Sequence, residues 1–164
     1  MCGRFTLTWP SATELAKLLG VAPTEAFSLL YRPRWNVAPT DPHWVVRLAP
    51  PPKADPSAAP PPGSAVAVEP GHREIAAAKW GFAPPPSTTG APASRGRRGP
   101  LINARSESVR MPGVREAFSG ESPANGGRCV VPVDGFYEWI GEAKAKRPIW
   151  FSAATGDLLR FAGV

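Results

Sequence analysis

Cys2 stands directly after Met1. Its small side chain permits removal of the initiator methionine, which leaves a free α-amine and a thiol on one residue. Their ordinary pKa values are about 7.7–8.0 and about 8.5, so a usable fraction of each is nucleophilic near neutrality. Such a 1,2-aminothiol has a distinctive reaction with aldehydes. The amine forms an imine, as Schiff-base lysines do, and the thiol closes a five-membered thiazolidine. By position alone, a small apolar residue that happens to stand second is the simpler reading. Asn103, in LINARSES, has Arg105 two residues on, and in an extended segment both would share a face. The amide can donate and accept, and the guanidinium can fork onto a phosphate; taken in isolation, the pair reads as a turn Asn beside a surface Arg. Glu138 is set among Phe136, Tyr137 and Trp139. Turned inward it is desolvated, and its pKa rises toward general acid–base work. Turned outward it is an ordinary strand acid, and alternation leaves both open because both faces carry aromatics.

Other candidates are fewer. His43 and His72 have no partner by spacing and are expected at the surface. The six tryptophans are expected mostly in the core, although any one could stack on a nucleobase. Cys2 and Cys129 form no CxxC pair, so the pattern supports neither a zinc site nor a disulfide framework, and no metal or cofactor is expected. Reduced thiols, no secretory leader and no apolar run near 20 residues give a cytoplasmic reading without a membrane partner.

These residues need elements to position them. Phe5, Leu7 and Trp9 alternate in a strand over 2–9. Ser11 and Glu14 then form a capping box for a helix with Leu15, Leu18 and Leu19 on its apolar stripe, ended by Gly20. Three prolines in 31–42 predict an ordered loop, and WVVRL at 44–48 a strand. Residues 49–63 hold seven prolines and read as a surface insertion, as does the Pro-, Gly-, Ser- and Arg-rich stretch 83–100. Strands are expected at 66–68 and 75–82, then at 128–133, 135–139, 147–151 and 158–164, with a hairpin turn at Gly141. The chain of 164 residues carries a net charge of +6, which favours an anionic partner. Six arginines lie between Arg95 and Arg115, and Arg95, Arg97 and Arg98 read equally as solvated loop or phosphate contacts.

The segments MCGRF at 1–5, WNVAPT at 35–40, KWGF at 79–82, INARSES at 102–108, CVVPVDGFYEW at 129–139, RPIWF at 147–151 and FAGV at 161–164 together resemble the SOS response-associated peptidase (SRAP) domain family. The resemblance implies an α+β fold, a mixed, largely antiparallel sheet curled into a barrel-like core with a few short helices, as a single domain over 1–164. It implies an abasic-site sensor in single-stranded DNA that forms a covalent thiazolidine crosslink through Cys2. In that scheme Asn103 holds the reacting group and Glu138 shuttles protons, while Arg4 and Arg105 lie near the DNA backbone. Pro39 and Trp139 line the DNA-binding cleft. The implied protein is a monomer, cytoplasmic and nucleoid-associated when bound, and the peptidase label covers removal of Met1. Two departures stand out. The family's catalytic His, in an H-x-R-x-P segment beyond the FAG strand, has no counterpart, so a C-terminal truncation is expected, with impaired crosslinking. The aromatic that usually follows the WG motif is also absent. Rival readings are a non-covalent single-stranded DNA-binding module, a thiol peptidase acting on proteins, and an inactive truncated family member.

Overall fold

The computed structural model describes residues 3–49, 72–82, 100–107, 109–110, 112–119, 127–142 and 145–164. Cys2, Arg95, Arg97, Arg98, the strand expected at 66–68 and nearly all of both Pro-rich stretches lie outside them. The elements run β1 (Arg4–Leu7), α1 (Ala12–Leu19), α2 (Glu25–Leu30), β2 (Arg34–Val37), β3 (Pro42–Leu48), β4 (Arg73–Lys79), α3 (Pro112–Ser119), β5 (Cys129–Val133), β6 (Gly135–Ile140), β7 (Arg147–Ser152) and β8 (Leu159–Gly163). All pairings are antiparallel, and they build two four-stranded sheets, β2-β1-β6-β7 and β4-β3-β5-β8. The expected α+β, largely antiparallel fold with short helices is found. The curled sheet is two sheets, however, and they do not close into a barrel. The chain passes from one sheet to the other at Asp134, between β5 and β6.

The start of α1 was legible. Ser11 Oγ accepts from the Glu14 amide at 3.3 Å, and Gly20 ends the helix at φ 67, its N–H reaching the Ala16 and Lys17 carbonyls. The buried stripe is Leu15, Ala16 and Leu19. Leu18, expected in it, lies off its centre and is exposed. The sequence reading did not place α2 and α3. In α2, Thr24 Oγ1 caps the Phe27 amide at 3.1 Å and Phe27 is wholly buried. β2 falls where three prolines predicted a loop, because Pro33 and Pro39 flank it and Pro42 opens β3. The prolines bound the strand instead of breaking it.

Alternation along β3 divides the interior into two cores. Trp44 and Val46 join Leu7, Leu15, Leu19, Phe27, Tyr31 and Ile75. There α1 and α2 cover one sheet, and each large side chain fully removed from water contributes about 1.5–3 kcal/mol. The second core, between the sheets, is built on Phe5, Val37 and Val133, with Trp80, Val131, Phe136 and Phe161 packed against them. His43, expected at the surface, faces this side: it is buried, and its ring meets Phe5 edge-on at 4.5 Å. β3 begins two residues earlier than the expected strand, which carries His43 inside with Val45. The tryptophans also depart from expectation. None is among the fully buried residues, and Trp35, Trp139 and Trp150 are exposed. The longest ladder joins β3 to β4, from Pro42 opposite Lys79 to Leu48 opposite Arg73, and beyond it the Ala49 amide donates to the His72 carbonyl at 2.9 Å.

Candidate functional site

β1 runs to the N-terminal end of the described chain, and its placement is fixed at the opposite end. The Asp134 carboxylate accepts from the Thr6 hydroxyl, the Thr8 amide and, at 2.6 Å, the Thr8 hydroxyl, while the Asp134 amide donates to the Thr6 carbonyl at 3.0 Å. A carboxylate with three donors at the corner between sheets locks β1 in register with β6. That register sets Arg4 opposite Tyr137 and Phe5 opposite Phe136. Glu138 is the next residue along β6, half-buried and opposite Ile149. It alternates with Phe136, so it belongs to the inter-sheet face, a question the sequence left open. Trp139 projects from the other face, which it shares with Arg4, and Arg4 Nη1 donates to Asn36 Oδ1 at 2.8 Å.

Trp80 braces a second group. Its indole N–H donates to the Ile102 carbonyl at 2.7 Å, and Phe82 and Leu101 exchange two backbone hydrogen bonds at 2.8 and 2.9 Å. Asn103, half-buried, follows directly. The Trp80 backbone accepts from the Thr40 amide at 2.8 Å and donates to the Asp41 carbonyl at 3.0 Å. This ties down the turn that carries Pro39, where Thr40 takes φ 74. Arg34 closes the same turn through a 2.5 Å ion pair to Asp41. The Ala38 amide and the Arg34 guanidinium hold the Asp41 carboxyl below its usual range.

The two groups meet through Phe5, whose ring lies 5.0 Å from that of Trp80. Around this contact is a cleft of about 260 Å³, lined among others by Phe5, His43, Trp80, Asn103, Val131 and Phe161. Of the sequence-predicted residues, Arg4, Glu138 and Trp139 come together on the β1–β6 ladder, whereas Asn103 and Pro39 are joined through Trp80. Glu138 is outside the cleft lining, and Arg105, exposed on the turn after Asn103, is outside it too. His43 lies in the cleft wall. Its Nε2 faces the Pro132 carbonyl at 3.2 Å, and since a carbonyl only accepts, that nitrogen carries the proton. Burial, partly offset by this bond, lowers its pKa to about 4, so the ring is neutral at neutral pH. Burial pushes the Cys129 thiol, also in the wall, upward. Among the described residues, no group of three His, Cys, Asp or Glu side chains gathers as a metal site would require, and no helix is long and apolar enough to cross a membrane.

Sequence reasoning overlooked Asp134 and Trp80 and set His43 at the surface. The Asp134-Gly135 pair carried a turn signal, while nothing local marked Trp80 as a brace.

A pair of antiparallel sheets with a polar-edged apolar cleft at one end of β1 is a class of architecture. The family comparison makes the class specific: the model described as SOS response associated peptidase (SRAP) matches residues 1–164, and the chain belongs to that family. It is 35% identical over 65 residues to the abasic site processing protein YobE of Bacillus subtilis (strain 168), a match covering 39% of this chain and 27% of YobE. Among solved structures, a phage-related protein from Bordetella bronchiseptica superposes with a TM-score of 0.56 at 21% identity, over 98% of this chain and 59% of that one. The likeness to the Bordetella protein is one of fold. The chain thus spans about three-fifths of that relative's length, and its match to YobE takes in about a quarter of YobE.

Proposed function

We propose that this chain processes abasic sites in single-stranded DNA by covalent capture through Cys2, acting as a single-domain monomer. The observation that carries the reading is the β1–β6 register, which brings Arg4 and Glu138 to the end of the strand that leads to Cys2. Cys2 is bonded through Gly3 to Arg4, so its Cα is within about 7 Å of Arg4's. Membership of the SRAP family and the partial match to YobE support the substrate class.

Once Met1 is removed, the free α-amine attacks the aldehyde carbon of the ring-opened sugar to give a carbinolamine. Loss of its hydroxyl as water gives the imine, and the Cys2 sulfur then adds to the imine carbon. The thiol proton passes to the nitrogen, and the ring closes with one water released overall. Glu138 has the role of donating a proton to the departing hydroxyl and recovering one from the amine. Asn103, with one donor and one acceptor group, holds the sugar against the apolar wall formed by Phe5 and Trp80. Arg4 and Arg105 neutralise backbone phosphates, and Pro39 and Trp139 line the path of the strand.

Intact-mass spectrometry of the purified chain incubated with an abasic oligonucleotide tests the proposal. The expected result is an adduct one water lighter than the sum of protein and DNA, absent in Cys2→Ser and formed about 100-fold more slowly in Glu138→Gln. An unreactive wild-type chain whose Met1 is removed, or an adduct that survives Cys2→Ser, would overturn it. The net charge of +6 and the exposed tryptophans also suit a binding module without chemistry. Salt-sensitive binding with no mass shift is the signature of that second reading.

A further inference from the structure

The face of the β2-β1-β6-β7 sheet turned away from the core carries a row that the mechanism above uses only in part. Asn36, Arg4, Tyr137 and Trp150 come one from each strand. Tyr137 stands opposite both Arg4 and Trp150, and Arg4 is hydrogen-bonded to Asn36. Trp139, one step along β6 on the same face, stands opposite Pro148. Trp139 and Trp150 are therefore diagonal cross-strand neighbours, close enough for two large rings to form one surface.

Trp150 is held firmly on its inner side. A Cβ at Gly135 would stand 2.2 Å from Trp150 Nε1 and 2.3 Å from Cε2, so the indole occupies the space that glycine leaves open. Its N–H donates to Thr6 Oγ1 at 3.3 Å, and Thr6 is fixed in turn by Asp134. Even so, Trp150 is 50% exposed and Trp139 41%. A pinned indole with half its surface in water is suited to taking a second flat ring against it at little entropic cost. Of the charged residues in the four strands, alternation sets Arg4 on this face, whereas Glu138 and Arg147, which stands opposite Ile140, belong to the other, and Arg34 is ion-paired with Asp41. Aromatic rings beside an arginine, with no carboxylate on the same face of the strands, match unpaired bases and a phosphate backbone.

We propose that Trp150, together with Trp139, forms a stacking site for an unpaired base flanking the lesion, with Arg4 beside the intervening phosphate. The inference rests on the single-stranded DNA reading above and extends it to a second nucleotide position.

The test uses undamaged fluorescein-labelled oligothymidylate, so that it reads binding without Cys2 chemistry. Anisotropy titrations compare wild type, Trp150→Leu and Trp150→Phe, with thermal melts of each. Stacking one base on an aromatic side chain is worth roughly 5- to 150-fold in affinity. Trp150→Leu is expected to weaken binding by about 5-fold or more, while Trp150→Phe stays within about 2-fold. Equal affinity of Trp150→Leu and wild type overturns the inference. So does an equal loss in both variants, which would mark a packing role through the Thr6 bond. A wild type that binds duplex as tightly as single strand also overturns it. Should Trp150→Leu fail to fold, photocrosslinking of wild type to an oligonucleotide with one 5-iodouracil decides the matter: attachment at Trp150 or Trp139 supports the site, and attachment confined to other residues refutes it. Failure of the abasic-site adduct would sink the covalent mechanism while leaving these binding results standing.

Discussion

Replacing His43 with glutamine isolates one buried proton-binding group and allows its share of the pH dependence of stability to be worked out. In the folded chain, burial between the sheets lowers the His43 pKa to about 4 from an ordinary value of 6.5. A depressed histidine pKa means that, as pH falls, the unfolded chain takes up a proton that the folded chain refuses. The stability held by the neutral ring is complete above about pH 6.5 and is lost progressively down to about pH 4. The whole window is worth about 3 kcal/mol, at 1.36 kcal/mol per pKa unit, and about 2 kcal/mol has been lost by pH 5. Urea denaturation of wild type and His43→Gln at pH 7.5 and pH 5.0 reads the difference directly. Between those conditions, wild type should lose about 2 kcal/mol more than the variant, equivalent to roughly 4–8 °C in Tm for a chain of this size. His72 and the carboxylates are present in both proteins and cancel. Parallel losses in the two proteins, or an NMR titration of the His43 ring near 6.5, would refute the reasoning.

Two further outcomes follow from the corner that fixes β1. Asp134→Ala leaves the Thr8 amide and hydroxyl without their acceptor, and the Thr6 hydroxyl with the Gly135 carbonyl alone, and should cost about 3 kcal/mol in urea denaturation, since hydrogen bonds to a charged group contribute about 1.5–3 kcal/mol each. The same change frees the strand that leads to Cys2, so adduct formation should slow in parallel. Ser11→Ala removes only the cap of α1 and should cost about 1 kcal/mol, seen as a small drop in Tm with no change in adduct rate.

The parts of the fold legible in the sequence were those with local rules. Ser11, Glu14 and Gly20 mark α1 through capping chemistry that depends on near neighbours alone. The strands of the last third announced themselves through apolar runs, two of them joined by the turn at Gly141. β2 was hidden because proline weighs heavily in any local reading, and only the pairing of Val37 with Phe5 shows that Pro33 and Pro39 flank a strand. The side to which Glu138 belongs could not be read from a segment aromatic on both faces. It follows from the partnership of Phe136 with Phe5, more than a hundred residues away in the chain. His43 was misplaced by a two-residue error in where β3 begins, since one step of alternation separates solvent from interior. Candidate residues were readable by type, but their assembly through Trp80 depends on hydrogen bonds to two distant segments. No spacing rule encodes such bonds.

The β3–β4 ladder has a practical consequence. Its Leu48 and Arg73 end lies about 20 Å along the strand from the Pro42 end, where the Pro39 turn and Trp80 sit. Residues 50–71 join two positions that the ladder already holds as neighbours, so doubling the length of that connection costs only about 0.6 kcal/mol. An N-terminal affinity tag would block the amine of Cys2. The same tag spliced between Ala49 and His72 leaves that amine untouched, making this hairpin end the natural site for a purification handle or a fluorescent reporter.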